Sequence, residues 1–205
     1  MHPDSDIMFA QFALSHGQVR GVLEELGLRV GDSEAQFDAW LKYVRRMGVP
    51  FYPHELGRGA GVNVVYKFHH VMELAVALAL RTQGILPLHL LQLLVENRAT
   101  LRPLYHEAYR QRDRGLGAVV KVRFDDDDAE PSSVGGAFLD LNLDYLEGGV
   151  LTGGNPQLLS AREAVMSFMR PGNLMYPRPP LPLSRIATDV VRLAEDAPEL
   201  RRGRR

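Results

Sequence analysis

Residues 40–94 read WLKYVRRMGVPFYP, then HELGRGAGVN, then VVYKFHHVMELAVALALRTQGILPLHLLQLL. The first block is the basic end of an amphipathic helix. The second holds Gly57, Gly59 and Gly61 around Arg58 and suggests a hairpin tip, because glycine tolerates positive φ and close backbone approach. The third is apolar almost all round from Phe68 to Gly84, as expected of a helix buried on several sides. Pro87 then suits the first turn of another helix. Helix, cationic hairpin and buried helix in that order predict a helix-turn-helix followed by a wing.

Working toward the N-terminus, Ser15 with Gln18 and Ser33 with Gln36 both have capping-box spacing. Val19, Val22, Leu23 and Leu26 give the first helix one apolar stripe, and Gly27 ends it. Phe37, Trp40, Leu41 and Val44 do the same for the second, which ends at Met47–Gly48. Asp4 or Ser5 would start a short helix through Phe12. Phe51–Tyr52 and Asn63–Tyr66 are expected as the strands of the wing. GRGAG lacks the G-K-[ST] ending of a phosphate-binding loop.

Toward the C-terminus, a helix is expected over 88–112, with Pro103 kinking or dividing it. Ala118–Phe124 and the AFLDLNLDYL stretch alternate as strands, and the two are expected to pair through the acidic loop DDDDAE. That loop lacks the alternate ligands and central glycine of a calcium loop and reads as a solvated segment. Asp140, Asn142 and Asp144 would share a strand face, without a histidine or nucleophile nearby. Pro156 is expected to open a helix over 157–169, and Ser184 to cap a last helix ending at Glu195. The tail PELRRGRR is basic.

The 205 residues carry a net charge of -1 and no cysteine, which excludes disulfides, thiolate metal sites and cysteine nucleophiles. The longest apolar run, Val71–Leu80, contains Glu73 and is too short to span a bilayer. A cytoplasmic protein is expected, associated with the nucleoid when bound to DNA. No enzymatic site, no cofactor and no metal is expected.

The helix end LKYVRRMGV resembles the L-R-Y-Y-E-R-x-G-L of the MerR family of winged helix-turn-helix regulators. Tyr66, Val71, Leu74, Leu80, Arg81 and Gly84 resemble its Y-x-x-x-D-V-x-x-L and L-R-x-x-G, and Leu90, Leu93 and Leu94 keep the register. His70 replaces the usual aspartate, Arg45 a glutamate, and the family's wing arginine falls on Val64. The resemblance implies a DNA-binding transcriptional regulator acting as a homodimer on a palindromic operator in double-stranded DNA. The alternative is a protein–protein adaptor that keeps the winged-helix shape without binding DNA.

The fold class expected is mostly α with small β elements (α+β). Residues 1–96 would be the MerR-like winged helix-turn-helix and 97–112 a connecting or dimerisation helix. Residues 113–197 would be an α+β region for effector sensing, dimerisation or docking of a protein partner, and 198–205 a basic tail. The DNA-binding residues expected are Gln36, Lys42, Tyr43, Arg45, Arg46, Arg58 and Lys67. Lys42, Tyr43 and Arg46 match family positions that face DNA, and Lys and Arg neutralise phosphates. Ser33, Glu34, Gln36 and Asp38 are candidates for reading base edges.

Overall fold

The computed structural model describes residues 9, 11–29, 31–56, 64–82, 87–112, 137–141, 143–145, 151–153, 156–168 and 180–198. Within them lie six helices: α1 (His16–Glu25), α2 (Glu34–Arg46), α3 (Phe68–Thr82), α4 (Pro87–Arg110), α5 (Ala161–Phe168) and α6 (Leu183–Asp196). Four short strands, β1 (Ala137–Asp140), β2 (Leu143–Tyr145), β3 (Leu151–Gly153) and β4 (Gln157–Ser160), make two antiparallel pairs, β1–β4 and β2–β3. The fold is mostly helical with a small β component, as the sequence pattern predicts.

Both capping boxes form. The Ser15 and Ser33 side chains accept from the backbone N–H of Gln18 and Gln36, whose side chains accept from the cap N–H groups in return. Gly27 and Gly48 sit at φ 73° and 89°, one residue past the C-caps Leu26 and Met47. In both places the chain turns back onto the helix: Leu28 donates to the Leu23 carbonyl and Val49 to that of Val44. A side chain in that left-handed region would be strained, which is why glycine stands there.

Helix α3 is the centre of the core. From Phe68 to Leu80 nearly every side chain is buried, including His70 and Glu73. Helix α4 packs along it through Leu90, Leu91, Leu94, Leu101 and Tyr105, all fully buried. It runs unbroken past Pro103, which is exposed. A proline inside a helix costs about 3 kcal/mol; here buried neighbours on either side, Leu101 and Tyr105, keep the helix going. Helix α6 lays Leu183, Ala187, Val190, Val191 and Leu193 against α4, α3 and α1. The last helix of the 113–197 region therefore shares one core with the N-terminal helices.

Several local expectations are corrected. Residues 157–160 form strand β4, paired with β1 through Leu158↔Leu139 and Leu159↔Phe138, and the helix starts only at Ala161. Ser160 and Glu163 form a capping box there, with Ser160 N–H 2.8 Å from Glu163 Oε2 and Glu163 N–H 3.3 Å from Ser160 Oγ. Asp140 and Asp144 fall on separate strands with different partners, so they do not share a strand face. The strands expected at Phe51–Tyr52 and Asn63–Tyr66 do not form where the structure describes them: Phe51, Tyr52, Val64 and Val65 lie in no strand, and Tyr66 bridges to Leu14, with N–H···O distances of 3.0 and 2.8 Å, while residues 57–63, the hairpin tip with Arg58, lie outside the described residues. So do the strand expected over 118–124, the acidic loop, the tail and most of the helix expected before Phe12.

Ser184 is not the cap of α6. Pro182 holds that position without a side-chain bond. Ser184 is buried instead, donating to the Ala108 carbonyl at 2.6 Å and accepting from the Ala137 N–H at 2.7 Å. One hydroxyl ties together the end of α4, the start of β1 and α6. Ser184→Ala would leave a buried donor and acceptor unpaired and is expected to cost about 1–3 kcal/mol. Denaturant unfolding checks this; an unchanged midpoint would mean the hydroxyl joins nothing.

Candidate nucleic-acid interface and the buried ionic hub

Helix α2 exposes one face from end to end. Lys42, Arg45 and Arg46 are exposed on its last turns, and Phe37, Leu41 and Val44 on the other side are buried. Cations here also complement the helix dipole. Among the described residues no carboxylate pairs with any of the three. The acidic groups of the helix are engaged elsewhere: Arg20 of α1 binds Glu34, and lies 3.4 Å from Asp38 and 3.1 Å from Glu24. Arg20 thus braces α1 against α2 and leaves the far half of α2 positive. His16 registers that field. Burial lowers its pKa first, then the charges of Arg45, Lys42 and Arg20, with Asp38 opposing them.

The other expected contact residues are placed as follows. Tyr43 is half-buried and Lys67 exposed. Gln36 is exposed, but its Oε1 accepts from Ser33 N–H at 2.8 Å, so its amide oxygen is committed to the helix cap. A two-point reading of adenine would need that oxygen free. Glu34 and Asp38 are tied to Arg20 in the same way. His70, which stands where the resembling pattern has aspartate, is buried.

Behind this face lies a hub that sequence patterning does not reveal. A carboxylate in the middle of an apolar helix is unfavourable by several kcal/mol unless it is paired. Glu73 is fully buried, and Arg98 of α4 meets it with Nε at 2.8 and 3.1 Å and Nη2 at 2.7 Å. The same guanidinium donates to the carbonyls of Phe51 (3.1 Å) and Gly48. One turn on, Arg102 forks Glu55 at 2.8 and 2.9 Å and donates to the Pro50 carbonyl at 2.8 Å. Both guanidinium groups lie against the Tyr52 ring, 4.8 and 4.6 Å from its centroid, in cation–π range. The 48–55 loop, which leaves the C-terminus of α2 and holds a cis peptide at Val49–Pro50, is therefore held by two arginines of α4.

His69 and His70 complete the hub. Their Nε2 atoms lie 3.8 and 3.3 Å from Glu55 Oε1, without hydrogen-bond alignment. Glu55, His69 and His70 offer donor atoms within 4.8 Å of one another, a spacing a metal ion could bridge. The chemistry of the set opposes that use. His70 Nδ1 accepts from the Lys67 N–H at 3.1 Å, so the ring proton sits on Nε2. A metal-bound histidine shows the reverse, with the other nitrogen donating. Glu55 is already held by a guanidinium fork and by the Tyr52 N–H at 2.7 Å, and a dication would meet Arg102. The cluster is built around the Arg102–Glu55 fork, with the two imidazoles lying beside it.

Its protonation has a consequence for stability. Burial drives His69 down to about 3, helped by His70 and Arg102, and drives His70 to about 4, with Glu55 opposing. Burial alone would raise Glu55, but Arg102 and the Tyr52 N–H hold it well below the ordinary carboxylate range. Burial pushes Glu73 up to about 7 against the pull of Arg98. Below about pH 6.5 the unfolded chain protonates both imidazoles and the folded chain neither. Glu73 holds one extra proton in the folded state, which offsets only one of the two. Stability is therefore expected to fall from about pH 6.5 toward about 4, and to fall further as unfolded Glu55 protonates near its ordinary pKa. His69→Gln should flatten the upper part of that decline. A urea midpoint independent of pH over this window would contradict it.

Comparison with protein-family models, with curated proteins and with solved structures gave no match in any of the three.

Proposed function

We propose that this chain is a sequence-specific DNA-binding transcriptional regulator that lays the exposed face of α2 on duplex DNA. One observation carries the reading: Lys42, Arg45 and Arg46 stand together on a helix locked into the core by its opposite side, and no carboxylate among the described residues pairs with them. Phosphate is the natural partner of such a group. Two short capped helices joined by a glycine-containing turn support the reading, as do the residues that resemble the MerR pattern.

The homodimer implied by that resemblance would need a surface other than the apolar stripe of α4. Leu90, Leu91, Leu94, Leu101 and Tyr105 are fully buried in the chain's own core, and Val95 is the large apolar side chain that α4 exposes among the described residues. Selection from a pool of random duplexes tests the function. Enrichment of a sequence supports a regulator, and enrichment of a palindrome supports two copies on it. The second reading, an adaptor without DNA binding, is favoured by the net charge of -1 and predicts no enrichment.

A further inference from the structure

The first turn of α1, the last turns of α2 and the bridge residue Tyr66 meet at a narrow cleft with room for about one water molecule, its floor apolar (Val19, Leu41, Val49, Pro50, Leu74) and its polar groups supplied by His16, Arg45 and Tyr66. Three polar groups from separate segments converge on it. The Tyr66 hydroxyl lies 3.2 Å from His16 Nδ1 and beside the Arg45 guanidinium. The Tyr66 ring itself is rigid. It is 2% exposed, its backbone is hydrogen-bonded in both directions to Leu14, and Phe51 packs on it edge to face at 4.9 Å between centroids. The hydroxyl is thus a fixed polar tip at the bottom of a basic rim. Around His16 stand Arg20 on its own helix and Asp38, Lys42 and Arg45 on α2. Asp38 is partly neutralised by Arg20 at 3.4 Å, which leaves the cleft with positive charge in excess.

A guanidinium, an imidazole and a phenol are all hydrogen-bond donors to an anionic oxygen. We propose that one phosphodiester group of bound DNA sits over the mouth of this cleft, held by the exposed side chains of Arg45 and His16 and oriented by the Tyr66 hydroxyl between them. The inference rests on the DNA-binding reading and adds to it a defined contact on α1 and a dependence on pH. In the free chain, partial burial and the cations around it lower the pKa of His16. A bound phosphate supplies the opposite charge, so His16 takes up a proton on binding. Affinity then rises as pH falls.

The test is equilibrium binding of a fluorescein-labelled random-sequence duplex to the full chain at low salt, at about pH 6 and about pH 8. Wild type, His16→Gln, Tyr66→Phe and the Lys42→Ala/Arg46→Ala double variant are compared, with circular dichroism confirming that each is folded. Wild type is expected to bind more tightly at the lower pH, by up to about tenfold for each unit by which binding raises the pKa of His16. His16→Gln should bind more weakly and lose that pH dependence, and Tyr66→Phe should weaken binding several-fold. If His16→Gln keeps both the affinity and the pH dependence of wild type while the double variant is weakened, the phosphate seat is wrong and the DNA-binding reading stands. If wild type binds no duplex at either pH, both are wrong.

Discussion

Replacing Arg98 by alanine is expected to destabilise the protein more than any other single exchange in the hub, by about 3–5 kcal/mol. The change removes the partner of a carboxylate buried in the centre of α3. It also strips a donor from the Phe51 and Gly48 carbonyls, where the chain leaves α2. For a chain of this length the Tm should fall on the order of 10 °C. Most of that cost comes from Glu73, which loses its buried donors and must take up a proton or stay charged without a partner, so removing it as well should recover part of the loss. Arg98→Met with Glu73→Leu is expected to be more stable than Arg98→Ala, though less stable than wild type, because the two carbonyls stay unpaired. Thermal melts of the three proteins decide it. A single variant within about 1 kcal/mol of wild type would show that the pair is not a keystone of the core.

The second large effect concerns DNA. Lys42→Ala with Arg46→Ala is expected to lower duplex affinity by on the order of ten- to a hundredfold at low salt, uniformly across sequences. Both side chains are exposed and make no ion pair among the described residues, so the fold should not notice their loss. Binding unchanged in the double variant would place the DNA face elsewhere on the molecule.

Much of the helical frame could be read directly from the residues. Ser15–Gln18 and Ser33–Gln36 announce their helices because capping is local chemistry, and Gly27 and Gly48 end them for the same reason. The apolar run after Phe68 and the leucines after Pro87 likewise declare α3 and α4. Local pattern misleads where the deciding partner is distant in sequence. Gln157–Ser160 is a strand because Leu139 and Phe138 lie beside it, and the Pro156 that precedes it suits a helix start equally well. The local signal for the true start is Ser160 three residues before Glu163. Ser184 has the look of a cap, yet it is spent on Ala108 and Ala137 far along the chain.

The candidate site divides in the same way. Lys42, Arg45 and Arg46 follow from helical spacing, because a face opposite Phe37, Leu41 and Val44 must be wet. The hub does not, although two features point to it. Glu73 interrupts an apolar helix and must be paired if that helix is buried, and Arg98 and Arg102 stand one turn apart behind a leucine-rich stretch. Their partners in the 48–55 loop lie some fifty residues away, which periodicity cannot connect. Glu34 and Asp38 were candidates for base reading, and their pairing with Arg20 shows that they instead brace one helix against another.

The central claim is that the far half of α2 neutralises phosphates. Its most direct test is the affinity of the wild-type chain for a random-sequence duplex over a range of salt concentrations. The account predicts that log affinity falls linearly with log salt, and that neutralising Lys42 and Arg46 reduces the slope by about 2, one for each lost phosphate contact. A wild-type chain that binds with no salt dependence, or a double variant with the same slope as wild type, would contradict it.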